Sequence, residues 1–165
     1  MDKNRITLEK ILREMSEKLP KFPDGRIDYS HSDRAPVLNC FVKFRDKVLL
    51  LKRSGQVRAY RGLWNSVGGY LDEFCSVEEK VREELREELG IGDDLIGKIK
   101  IGEAYEMTDG EIRKTWIIFP VLAELNREPE IKLDWEHTEY RWIIPADMEK
   151  FDTIKNLGLA LEKVW

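Results

Sequence analysis

Cysteine is scarce in this 165-residue chain, and its two examples, Cys40 and Cys75, form neither a Cys-x-x-Cys pair nor a metal-loop spacing. A disulfide framework and a structural zinc site are therefore excluded as organising features, and a reducing cytoplasm suits both thiols. Histidine is also rare, and His137, alone among acids, is assigned no catalytic role. Long apolar runs are missing: the longest, residues 116–123, contains Pro120, which argues against a membrane span. Met1-Asp2-Lys3-Asn4-Arg5 leads into a charged helix rather than the apolar core of a targeting signal. Positive charge is not in excess, since Lys plus Arg number 28 against 32 Asp plus Glu, for a net charge of -4. Nucleic acid is thus not an expected partner, no membrane contact is expected, and a small anionic ligand needs local cations or a metal. The expected location is the cytoplasm.

Hydrophobic residues make up 42% of the chain and charged residues 36%, a globular composition for a length that suits one domain over residues 1–165. Leu8, Ile11, Leu12, Met15 and Leu19 recur at helical spacing before Pro20, which predicts an N-terminal helical extension over about residues 7–19. This helix is equally suited to covering a sheet edge and to a homodimer contact. Residues 21–36 read as a connector carrying a short edge strand at 27–29. Residues 37–44 and 48–51 read as a hairpin turning at Arg45-Asp46. Residues 60–70 read as a loop, a short strand and a tight turn near Gly68-Gly69. Further strands are expected at 99–107 and 115–125, joined at Asp109-Gly110, and at 140–144, closed by Pro145. A final helix is expected over much of 146–165.

The most informative segment begins at Ser76, which with Glu79 makes a capping-box pattern; Val77, Val81, Leu85 and Leu89 then recur at four-residue spacing until Gly90. At about 100° per residue, Glu84, Glu87 and Glu88 fall in one sector of this helix. Like charges so placed cost a few tenths of a kcal/mol per pair, which a divalent cation would reverse. Mg²⁺ suits a partial shell of carboxylates completed by water and phosphate. A plain solvated face is the alternative for these acids taken alone.

Together with its flanks the segment resembles the Nudix box: Gly, five residues, Glu, seven residues, Arg-Glu, an apolar residue, any residue, Glu-Glu, any residue, Gly, an apolar residue. Gly69, Glu84, Leu85, Glu87, Glu88, Gly90 and Ile91 match it without a gap, and LLLKRS and GLWNSVGG extend the likeness over roughly residues 37–145. The resemblance implies an α+β chain folded as a Nudix-like α/β/α sandwich with a mixed central sheet. It also implies hydrolysis of the pyrophosphate of a nucleoside diphosphate linked to another moiety, with Mg²⁺ as cofactor and Mn²⁺ as the alternative ion. Glu84, Glu87 and Glu88 would hold the metal and carry catalysis. The general base would come from the box glutamates or from Glu136 or Glu139, in the acidic-aromatic stretch before the last predicted strand. Arg53, Arg61, Trp64, Gly68 and Gly69 are the expected contacts to a phosphorylated nucleotide-type substrate, with Lys52 as a further cation and Tyr60, Trp116 and Trp135 as further stacking candidates.

Two positions depart from the pattern: Cys75 replaces Glu, and Glu83 replaces Arg. In the resembling family that Arg helps orient the catalytic glutamate, and Lys80, four residues before Glu84, is the candidate replacement. Cys75 is read as an inert substitution, with a reactive thiol as the alternative. The departures keep open a catalytically impaired domain that binds nucleotides or regulates a partner. A prenyl-diphosphate isomerase is less well matched, because residues 64–69 lack the cysteine those enzymes carry before the box.

Overall fold

The computed structural model describes residues 7–165, so the reading of Met1 to Arg5 lies outside the described residues. Thr7, whose side chain accepts a hydrogen bond from the Lys10 amide at 3.4 Å, starts helix α1 (Leu8–Lys18). The apolar stripe of α1, formed by Leu8, Ile11, Leu12 and Met15, is buried in the chain's own core. The expected strand at 27–29 is no more than an isolated bridge between Lys21 and Ile27.

Two long strands, β1 (Arg34–Phe44) and β7 (Lys114–Leu125), run parallel from the Arg34–Thr115 pair to the Lys43–Glu124 pair and form the spine of the sheet. The remaining pairings between strands are antiparallel. On its other edge β1 meets β2 (Lys47–Arg53) and β4 (Val67–Tyr70). Strands β5 (Ile96–Ile101) and β6 (Tyr105–Asp109) share the far edge of β7. Strands β3 (Trp64–Asn65) and β8 (His137–Ile143) pair with β2. Strand alternation sorts the apolar side chains into two cores. Leu38, Cys40, Val42, Phe119 and Val121 lie with α1 and with helix α2 (Val77–Leu89). Phe41, Val48, Leu50 and Leu122 lie with Leu157 and Leu161 of α3 (Leu157–Glu162). The result is an α/β/α sandwich around a mixed sheet. Among the described residues, no helix is long and apolar enough to cross a membrane.

Three expectations are corrected. Gly68 and Gly69 sit inside β4, opposite Asn39 and Leu38, and make no turn. The strand expected over 99–107 breaks at Gly102, whose amide donates to Pro120 O at 2.8 Å; an added Cβ there would meet Val164 Cγ1 at 2.8 Å, so packing demands glycine and interrupts the ladder. The single C-terminal helix is a 3-10 segment (Pro145–Lys150) followed by the short α3. Between them the backbone pairs with β3 through Trp64 N to Asp152 O at 2.9 Å and Ile154 N to Trp64 O at 3.0 Å, and Asn156 takes a left-handed φ of 61°.

Candidate active site

Helix α2 is fixed at both ends. Ser76 Oγ accepts from the Glu79 amide at 3.1 Å while Glu79 Oε2 accepts from the Ser76 amide at 2.7 Å; at the other end Gly90 adopts a φ of 69°. Val81, Leu85 and Leu89 are fully buried beneath the sheet. Glu84 and Glu88 flank this stripe and are carried inward with it, at 9% and 3% exposure, whereas Glu87 faces solvent.

The helix meets β4 at Gly69. A Cβ added there would lie 2.5 Å from Glu84 Oε1 and 2.9 Å from its Cδ, so the carboxylate in its present place depends on glycine for close approach rather than for a turn. Gly69→Ala is therefore expected to displace the Glu84 carboxylate, costing on the order of 1–3 kcal/mol in stability and most of any turnover. Denaturant titration alongside an activity assay checks this; a variant matching the parent in both shows that the contact is not needed.

Burial pushes the Glu84 carboxyl up to about 7, against the attraction of Lys80. Glu88 is raised well above the usual range by burial and by the charges of Glu84, Glu136 and Asp134. Its Oε2 is buried without a hydrogen-bond partner. Lys80 Nζ lies 3.1 Å from Glu84 Oε1, 3.2 Å from Glu83 Oε2 and 3.8 Å from Glu73 Oε1. Burial alone would lower the Lys80 pKa, but these ion pairs win and raise it. Behind Glu88 stands His137, with Nε2 at 3.9 Å from Glu88 Oε2 and Nδ1 at 3.2 Å from Asp134 Oδ1; burial lowers its pKa and favours the neutral ring.

Two buried carboxyls, of which only Glu84 is paired with a lysine and Glu88 keeps an orphaned oxygen, suit a divalent cation, because Mg²⁺ commonly binds one or two protein carboxylates and completes its shell with water and phosphate. Among the described residues no three Asp, Glu, His or Cys side chains already enclose such an ion. Glu87 is the nearby exposed carboxylate, and its charge is felt by both Glu84 and Glu136.

Gly68 and Gly69 also line a cavity of about 350 Å³ together with Arg53, Tyr70, Trp116 and Glu136. Burial raises the Glu136 carboxyl, its neighbour Asp134 raises it further, and Arg53 opposes the shift. Of the expected residues, Gly68, Gly69 and Arg53 thus line the cavity, whereas Glu84, Glu87 and Glu88 do not; Glu84 lies behind the wall, against Gly69, with Glu88 one turn further along α2. Three other expected residues lie elsewhere. Glu139 is ion-paired with Lys52 at 3.4 Å and Arg141 at 3.2 Å, because the strand register places it opposite Lys52. Arg61 donates from Nε to Val57 O at 2.7 Å, and Trp64 packs edge-on against Phe151. None of the three lines the cavity. Asn39, Tyr105, Met107 and Asn156 line it without having been anticipated, since only their strand or turn placement brings them there. Cys75 is half-buried, and burial and Glu73 raise its thiol pKa, consistent with an inert position.

A family model described as the NUDIX domain matches residues 33–160. The nucleoside triphosphatase NudI of Escherichia coli is 26% identical over 116 residues, covering 63% of this chain and 77% of that protein. NudI of Shigella flexneri matches with the same identity and coverage. A MutT NUDIX hydrolase from Burkholderia pseudomallei shares the fold with a TM-score of 0.65 at 20% identity, over 79% of this chain and 97% of the other. The NUDIX domain of Shewanella oneidensis NrtR, solved with ADP ribose, gives 0.66 at 18% identity over 96% of both chains.

Proposed function

Because the chain belongs to the NUDIX family, we propose that it is a metal-dependent hydrolase that cleaves the pyrophosphate of a nucleoside diphosphate linked to another moiety. The observation carrying this reading is the buried Glu84–Glu88 pair with its orphaned oxygen, one glycine away from a cavity that holds Arg53. Glu84, Glu87 and Glu88 are the residues to hold Mg²⁺, or Mn²⁺ in its place. A cation bound there supplies charge neutralisation to the pyrophosphate and acidifies the attacking water. Arg53 contacts phosphate at the cavity wall, and the glycine pair lets substrate approach the backbone of β4. Glu136, rather than Glu139, takes the proton from water: it lines the cavity, and burial beside Asp134 raises its pKa and so makes it a stronger base than a free carboxylate. The whole chain is read as one domain, since α1 shares its core with α2.

Incubation with Mg²⁺ or Mn²⁺ and a panel of ADP-ribose, deoxynucleoside triphosphates and dinucleoside polyphosphates tests this reading, with Glu87→Gln as the companion variant. Turnover that needs the metal and falls about 100-fold or more in a folded Glu87→Gln is expected. The second reading, a nucleotide-binding or regulatory domain, is favoured by Glu83 standing where the pattern has Arg, and tight binding without turnover selects it.

A further inference from the structure

Trp135 is 62% exposed yet lines the cavity. Its position is not the product of a loose loop. The Asp134 amide donates to Glu88 O at 3.2 Å, the Glu136 amide donates to Asp134 Oδ1 at 3.1 Å, and the Ser54 amide donates to Glu136 O at 2.7 Å. The backbone on both sides of Trp135 is therefore tied to α2 and to the end of β2, and the indole is held out in water, where so large an apolar face is costly.

Elsewhere on the cavity wall the aromatic rings are pinned by their neighbours. Tyr29 stacks on Tyr70 at 5.6 Å and donates its hydroxyl to Leu71 O at 2.9 Å; Tyr70 lies 6.1 Å from Trp116. Trp116 Nε1 donates to the Tyr60 hydroxyl at 3.0 Å, which donates to the buried Asp109 Oδ2 at 2.9 Å. The polar tips of Tyr29, Tyr60 and Trp116 are thereby taken up by Leu71 O, Asp109 and the Tyr60 hydroxyl, which leaves ring faces of Tyr70 and Trp116 to line the cavity. Arg53, Arg58 and Lys155 line it too, against one carboxylate, Glu136. Aromatic walls with an excess of cations fit a planar heteroaromatic group that carries phosphate, and a volume of about 350 Å³ suits one such group rather than two.

We propose that Trp135 is a specificity-determining residue that stacks on the base of the substrate's nucleoside, with Tyr70 and Trp116 as the fixed wall, so that diphosphates lacking an aromatic base are discriminated against. This rests on the pyrophosphohydrolase reading only for the word substrate, because the clasp acts on binding and needs neither metal nor turnover.

The test uses the full chain in a metal chelator, with AMP and ribose 5-phosphate as probes that share a phosphorylated ribose and differ in the base. Isothermal titration calorimetry is expected to show AMP binding at least about tenfold tighter, and Trp135→Ala is expected to lose roughly 5- to 150-fold in AMP affinity while ribose 5-phosphate is unchanged. Trp135→Phe keeps most of the affinity. Equal affinity of the parent for the two probes, or an undiminished preference for AMP in Trp135→Ala, overturns the proposal. A substrate panel run in parallel separates the two readings. Base-selective binding without hydrolysis supports the clasp and removes the enzyme; hydrolysis with equal kcat/KM for base-bearing and base-free diphosphates removes the clasp and keeps the enzyme.

Discussion

Glu88→Gln is expected to remove turnover and, at the same time, to make the metal-free protein more stable above neutral pH. The side chain is 3% exposed, one oxygen has no partner, and Glu84, Glu136 and Asp134 all press their charges on it. An ionised carboxylate so placed opposes folding, whereas an amide of the same shape carries no charge to desolvate. The sign follows from linkage. Glu84 is raised from 4.5 to about 7 in the folded chain, and Glu88 is raised as well. The contribution of Glu84 to stability is fully present below the unfolded value of 4.5 and is lost as pH rises through about 7, and that of Glu88 is lost in the same direction as pH rises through its own raised value. At about pH 5 parent and variant should therefore melt close together. As the pH passes the raised Glu88 value the variant should melt higher, by about 3 °C, corresponding to on the order of 1 kcal/mol. Saturating Mg²⁺ should raise the parent's melting temperature and move the variant's much less, since a cation bound only by the folded state stabilises it. Calorimetric melts across this pH range, with and without Mg²⁺, read all three effects. A parent that is indifferent to pH and Mg²⁺ and melts with its variant throughout would refute the account of this pair.

The acidic helix was the most legible part of the chain because its signals are local. A capping box, an apolar stripe and a terminal glycine each act within a turn or two, and the structure shows all three. The spacing also placed Glu84, Glu87 and Glu88 in one sector, but not their different depths. Glu84 and Glu88 border the stripe of Val81 and Leu85 and go down with it, while Glu87 lies on the far side of Glu84 and stays in water. What the sequence hid was non-local. That Gly69 faces a carboxylate fifteen positions further on is a packing fact about β4 against α2. That Glu136 rather than Glu139 reaches the cleft depends on the register of β8 with β2, which shifts between Lys52 and Arg53. The C-terminal helix failed for a related reason: residues 152–154 pair with Trp64, a partner nearly ninety residues away that no periodicity announces.

Lys80→Ala is expected to lower turnover and to move the acid limb of the pH–rate profile upward, effects that Arg82→Ala should not reproduce. The pattern this chain resembles places Glu at position 75 and Arg at position 83, and this chain has neither, so the Arg and a nearby acid are absent together. Lys80 supplies a cation from one turn earlier, with Nζ at 3.1 Å from Glu84 Oε1. Its side chain is 7% exposed, so this pair is not a screened surface contact. Arg82, by contrast, pairs with Glu78 at 3.0 Å and Asp93 at 3.6 Å on the outer face of the helix, where ion pairs contribute little. Removing Lys80 withdraws the attraction that holds the Glu84 pKa down, so Glu84 should remain protonated to higher pH, by about one unit or more. An uncompensated buried charge also costs on the order of 3 kcal/mol, so folding must be followed beside activity. Lys80→Arg keeps the charge and should retain the parent's acid limb, which separates orientation of Glu84 from general loss of stability. Adding Cys75→Glu and Glu83→Arg to Lys80→Ala restores the pattern's own residues and should return the limb toward the parent position. Equal effects of Lys80→Ala and Arg82→Ala on that limb would show that the lysine is only one more charge on an acidic helix.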